Sequence, residues 1–157
     1  SEFWIDLVAH REAPAVAAAH AAGAVPESSL ATGPARYTIV YIEDNPSNIA
    51  FMRDLVEELA SVELVTAPTA ELGLPLVRER RPKAVIMDIN LPGISGLEAV
   101  KRLRDWPETR DIPVIGLSAA ALLRDTALAR DAGFFRYLTK PVKVDELTRA
   151  LEELLVP

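Results

Sequence analysis

The stretch KAVIMDINLPGISG, residues 83–96, decides how the rest of the chain reads. Four apolar residues, Ala84 to Met87, climb without interruption to a carboxylate at Asp88, and a Leu-Pro-Gly turn follows at 91–93. A short apolar run bounded by turn residues fits a strand covered on both faces. The acid at its end marks the place where the chain leaves the core.

The pattern repeats on both sides. TIVYIED (38–44) is β-branched and aromatic, hence a strand. Pro46 suits a first helical turn, and NIAFMRDLVEEL (48–59) carries apolar residues at helical spacing. VELVT (62–66) is a second strand, and Thr69 caps a helix running to about Arg80. Pro75 falls inside that helix and removes a hydrogen bond, at about 3 kcal/mol in a regular interior, so a kink, a late start or a fraying turn is expected. Beyond 84–88, the third strand, LEAVKRLR (97–104) is a helix and IPVIGLS (112–118) a fourth strand. AALLRDTALARDAG (120–133) is a fourth helix ended by Gly133, FFRYL (134–138) a fifth strand and VDELTRALEELL (144–155) a closing helix. Strands alternating with helices pair in parallel, because each helix is a crossover. The expected fold is a doubly wound α/β sandwich with five parallel strands, whose ligands bind past the carboxyl ends of the strands.

Composition sets the frame. The 157 residues suit one domain with a segment attached, and half are hydrophobic, enough for a core. With no cysteine there is neither a disulfide framework nor a thiolate metal site, which is compatible with a reducing cytoplasm. A net charge of −6 argues against nonspecific nucleic-acid binding. No apolar run is long enough to span a bilayer, and the first residues, SEFWIDLV (1–8), lack the pattern of a signal peptide. Residues 9–36 are alanine-rich and punctuated by Pro14, Gly23, Pro26, Gly33 and Pro34. They read as a linker with a short helix near 14–22, holding both His10 and His20. The repeating domain is then 37–157.

Polar residues collect at one edge of the strands: Glu43 and Asp44 after the first, Asp88 after the third, Ser118 after the fourth, and Lys140 with Pro141 after the fifth. Two unit charges 4 Å apart interact by about 4 kcal/mol at an effective dielectric of 20, so three clustered acids call for a cation. Oxygen ligands suit Mg²⁺. A carboxylate beside such an ion can attack phosphorus, while a lysine and a hydroxyl hold the remaining phosphoryl oxygens. Plainer roles compete. Asp44 could cap the helix at Pro46, Ser118 could cap the fourth helix, and Tyr137 could be half-buried packing.

These residues resemble the receiver domains of two-component response regulators. The resemblance covers about 37–156 and rests on YIEDNP, VIMDINLPGISG, IGLSA and YLTKP in order. It implies a flavodoxin-like fold with strand order 2-1-3-4-5. It also implies phosphorylation of Asp88, with Mg²⁺ bound by Asp44, Asp88 and the backbone carbonyl of Asn90, and with Glu43 acting more distantly, through water. By the same resemblance Ser118 donates to the phosphoryl group, Lys140 pairs with it, Tyr137 swings inward as Ser118 moves, and Pro141 follows a cis bond. Glu43 and Ser118 stand where many members carry Asp and Thr. Such domains catalyse their own loading and slow hydrolysis. Their partners are histidine kinases or histidine phosphotransfer domains, and a downstream protein meets the face of the fourth helix, fifth strand and closing helix. They work in the cytoplasm, on parents that are sometimes membrane-anchored. SEFWIDLV in turn resembles the last strand of a histidine kinase ATPase domain, which would make the chain the C-terminal part of a hybrid kinase. Two other readings compete: a binding module that no longer switches by phosphorylation, and an aspartate-nucleophile phosphatase. The phosphatases usually place a second aspartate where this chain has Asn90.

Overall fold

The computed structural model describes residues 37–59, 61–119 and 130–155. Its elements are β1 (Tyr37–Ile42), α1 (Pro46–Glu57), β2 (Val62–Ala67), α2 (Ala70–Arg80), β3 (Ala84–Asp88), α3 (Gly96–Asp105), β4 (Val114–Ser118), β5 (Arg136–Thr139) and α4 (Val144–Leu155). All strand pairs are parallel and the sheet order is β2-β1-β3-β4-β5, as the family resemblance implied. The segment 1–36, on which the expected linker and kinase-like strand fall, and most of the expected fourth helix, 120–129, lie outside the described residues.

Side-chain parity splits the core in two. Ile39 and Tyr41 of β1, Ile86 of β3, Ile115 and Leu117 of β4 and Leu138 of β5 pack with Met52, Leu55 and Val56 of α1 and with Leu147 and Leu151 of α4. Their strand neighbours Val40, Ile42, Val85, Met87 and Val114 pack on the opposite face with Leu74 and Val77 of α2 and Val100 and Leu103 of α3. Successive strand residues point to opposite faces, so each apolar run feeds both layers. All five residues of β3 and of β4 are buried.

Element boundaries depart from the sequence reading in small, explicable ways. β4 starts at Val114 rather than 112, because Pro113 has no N–H to give the ladder. β5 runs over 136–139 rather than 134–138, since Gly133 turns the chain at φ 96° and Phe134 serves as a buried lead-in. Pro75 neither delays nor interrupts α2, a single helix from Ala70 to Arg80. The hydrogen bond it forgoes would have gone to the Glu71 carbonyl in the first turn, and Pro75 itself is exposed. Thr69 accepts from the Leu72 N–H at 3.3 Å, as expected of a cap. The helix stops at Arg81, which takes a left-handed φ of 45°.

Arg104, in the last turn of α3, ties three segments together. Nε and Nη2 donate to the Gly133 carbonyl at 3.0 and 2.7 Å, and Nη1 donates to the carbonyls of Arg110 and Ile112 at 2.6 and 2.8 Å. Burial pulls its pKa down, against the nearby charge of Asp111. Arg104→Met keeps much of the stem and deletes the donors, leaving three carbonyls unpaired. The expected loss is about 2–4 kcal/mol, read as a lower midpoint in urea denaturation with an unchanged slope.

Candidate functional site

Parity also builds the site. The β1 series 39-41-43 ends on Glu43, the β3 series 86-88 on Asp88 and the β5 series 138-140 on Lys140, all on the side of α1 and α4. The ladders extend one step past the strand ends to hold this register: Glu43 N–H donates to Ala67 O at 3.0 Å and Lys140 N–H to Ser118 O at 2.8 Å. Lys140 Nζ lies 2.9 Å from Glu43 Oε2 and 2.9 Å from Asp88 Oδ2. The acids are 1% and 4% exposed, so this ion pair is shielded from bulk water. The Lys140–Pro141 peptide bond is cis.

Glu43 is held by more than the lysine. Its Oε2 also accepts from the Tyr41 hydroxyl and from the Asn48 side-chain amide, both at 3.1 Å, and Oε1 accepts from the Asn45 N–H at 3.1 Å. Burial alone would raise its pKa, but Lys140, the Asn45 N–H and Asn48 overcome it and hold the carboxyl below its ordinary value. For Lys140, burial opposes the charge, yet the bonds to Glu43 and Asp88 push its pKa up. Tyr41 is raised, by burial first and then by Glu43. Tyr41 and Asn48 are functional neighbours that the sequence reading missed, and it also mistook the cap of α1. Asn45, not Asp44, caps that helix, its side chain accepting from Ser47 N–H at 2.9 Å. Pro46 is the first helical residue, which makes the residue before it the cap and leaves Asp44 exposed at the rim.

Asp88 Oδ1 accepts from the Asn90 N–H at 3.0 Å, and the Asn90 side chain is exposed. One carboxylate oxygen each from Glu43, Asp44 and Asp88 lie within 4.8 Å of one another. Three carboxylates against one ammonium leave a formal charge of −2, which a divalent cation matches. An oxygen-only donor set with one open, exposed side fits Mg²⁺, which keeps several of its waters.

Ser118 and Tyr137 belong to the other face of the sheet. Ser118 is buried at the end of β4, opposite Thr139. The Tyr137 ring packs edge-on to Phe134, with centroids 5.5 Å apart at 85°. Its hydroxyl is buried. Its pKa is raised by burial first and further by the Asp88 charge, with Ser118 acting in the opposite sense. Gly116 makes this arrangement possible, because a Cβ there would stand 3.0 Å from ring atoms of both Phe134 and Tyr137. Whether Ser118 caps the fourth helix is a question that falls on residues outside those described. Beside Lys140, between α1 and the loop after β5, opens a cleft of about 200 Å³ whose apolar walls include Phe51, Met52, Leu117 and Val142.

The chain matches the family model described as the response regulator receiver domain over residues 39–152. It is 36% identical over 118 residues to a polar-differentiation response regulator, DivK, of Brucella anthropi, covering 75% of this chain and 95% of the relative. A crystal structure of the receiver domain of a Pseudomonas aeruginosa sensor histidine kinase, with magnesium coordinated in its active-site cleft, is similar at 30% identity. Its TM-score is 0.68, with 76% of this chain and 98% of that one covered. The receiver domain of a Syntrophus aciditrophicus signal transduction histidine kinase is similar at 25% identity and a TM-score of 0.68, covering 76% and 90%.

The lowered pKa of Glu43 has a defined stability signature. Its contribution is present above the ordinary carboxylate value of 4.5 and is lost as pH falls through the lower native value. The Lys140 contribution runs the other way, present below 10.5 and lost as pH rises through the raised native value. Thermal melts of wild type and Glu43→Gln are therefore expected to differ by a constant amount between these limits and to converge as pH drops below 4.5. A difference that persists unchanged into strong acid would show that Glu43 is not held this way.

Proposed function

Because the chain belongs to the response regulator receiver family, we propose that Asp88 is its phosphoacceptor and that a phosphohistidine on a partner protein is the donor. The observation that carries this reading is the placement of the Lys140 ammonium 2.9 Å from both Glu43 and Asp88. An Asp88 oxygen attacks phosphorus in line. The P–N bond to the donor imidazole breaks, and the ring nitrogen that keeps the electron pair takes up a proton. The Asn90 N–H orients Asp88 through Oδ1. Lys140, tethered to Glu43, keeps its place and passes from the Asp88 carboxylate to a phosphoryl oxygen as charge builds there. Asp44, Asp88 and the Asn90 carbonyl would hold Mg²⁺, with Glu43 farther out. Bound there, the ion would neutralise the oxygens of the transferring group. The Ser118 hydroxyl donates to the phosphoryl group from the opposite sheet face, and Tyr137 follows it inward. The two packings differ in how well they hold the phosphoryl group, so loading shifts the population between them.

Receiver domains bind histidine kinases and histidine phosphotransfer proteins, and the donor here is one of these. The apolar cleft beside Lys140, with Phe51 44% exposed at its edge, supports docking of the donor on the α1 side, next to the acceptor. The output partner reads the face of the fourth helix, β5 and α4. SEFWIDLV followed by the alanine- and proline-rich 9–36 supports an origin as a receiver of a hybrid kinase, working in the cytoplasm as domain 37–157. Among the described residues no helix is long and apolar enough to cross a membrane. The phosphatase alternative is disfavoured because Asn90 cannot act as a general acid. A module that no longer switches would have no use for the complete acceptor set.

With Mg²⁺ and acetyl phosphate, wild type is expected to gain the mass of one phosphoryl group, labile to hydroxylamine, while Asp88→Ala gains none. Lys140→Ala should still bind Mg²⁺ but load at least tenfold more slowly. Equal loading of wild type and Asp88→Ala in the mass spectrum would remove Asp88 from this role.

A further inference from the structure

The geometry points to Tyr41 and Asn48 as positioning residues that fix the Glu43 carboxylate and so set the affinity of the acidic cluster for Mg²⁺. This inference rests on the receiver reading above and assigns to the site two residues that neither carry acid nor touch the acceptor. Glu43 has one methylene more than an aspartate and therefore one more torsion to fix. Without restraint its carboxylate would sample several rotamers, and each ordering step on binding would weaken the site. Here the choice is removed. Tyr41 is 2% exposed, two residues earlier on the same strand face, and its hydroxyl reaches Oε2 at 3.1 Å. Asn48, on α1, reaches the same oxygen from the helix side at 3.1 Å. Lys140 supplies the third donor to Oε2 at 2.9 Å.

The consequence is a division of labour within one carboxylate. Oε2 is filled by three donors and serves the ammonium. Among the described residues Oε1 accepts from the Asn45 N–H alone, which leaves it a lone pair to offer the acidic cluster. The two neutral donors also draw Glu43 toward β1 and α1, away from a collapse onto the lysine alone. Partners behind metal ligands typically change affinity by about 10–100-fold when removed, through orientation rather than direct contact, and Glu43, which meets the ion through water, passes on the lower end of that range.

The test is a double-mutant cycle read by Mg²⁺ titration calorimetry on the metal-free protein. Tyr41→Phe keeps the ring that packs in the core and deletes only the hydroxyl. The expected result is a Mg²⁺ affinity lowered about tenfold in a protein that still melts cooperatively without metal, its midpoint lowered by the loss of one buried hydrogen bond. Asn48→Ala, at a half-buried helix position, should lower affinity in the same direction and serves equally if Tyr41→Phe does not fold. In a Glu43→Asp background the shorter side chain no longer meets the hydroxyl, so adding Tyr41→Phe should change affinity no further. If wild type binds Mg²⁺ and both single variants bind it equally well, the inference falls while the receiver reading stands. If affinity drops in the Glu43→Asp background as much as in wild type, the effect does not run through Glu43, and the inference falls again. If wild type binds no Mg²⁺, the receiver reading fails and takes this inference with it.

Discussion

The Lys140 ammonium between Glu43 and Asp88 is the interaction on which the rest of the edge depends. Three carboxylates brought together without it would repel strongly in a partly buried setting. One lysine removes a third of that charge and leaves the remainder for a divalent ion. A buried pair of this kind adds little net stability over an apolar substitute, since desolvation cancels much of the attraction. Its value lies in geometry. The ammonium is tethered to Glu43, which is itself pinned, so it sits where a new anion on Asp88 would need it.

The sheet is what makes this meeting unavoidable. Glu43 and Lys140 are 97 residues apart in the chain, and the strand order puts β3 between β1 and β4, with β5 at the edge. Lysine is long enough to cross β4 and reach back. The two-residue period of the strands then sorts the polar groups. Glu43, Asp88 and Lys140 fall with α1 and α4, whereas Ser118 and Tyr137 fall with α2 and α3. Asp88 thus stands at the boundary between two half-cores, with the buried Ser118 on the far side of the sheet edge from the lysine.

Much of this was legible in the sequence, for a physical reason. β3 and β4 are buried throughout and tolerate no polar residue inside, so Asp88 and Ser118 stood out as strand ends, as did the acids after Ile42, while Lys140 stood out by preceding Pro141 after the fifth strand. The parallel topology followed from the alternation alone. What stayed hidden depended on direction rather than identity. Tyr41 reads as an ordinary core aromatic, and nothing in its type says that its hydroxyl meets an acid two positions on. Asn48 reads as one more polar residue on a helix. The cap of α1 was legible and misassigned, since Pro46 as first helical residue already singled out Asn45. Pro75 looked disruptive, but a proline near the start of a helix, on its outer side, forfeits only one bond to an exposed carbonyl.

The berth of the Tyr137 ring is written one strand away, in something missing. Gly116 leaves bare backbone where any other residue would place a methyl group against two aromatic rings. The ring therefore settles against the sheet with Phe134 undisturbed behind it, and its resting pose needs no rearrangement of the hydrophobic layer below. A sister domain with alanine at that spot would have to tilt one ring or the other, so two chains with identical acids, lysine and hydroxyl would hold their aromatic rings in different poses.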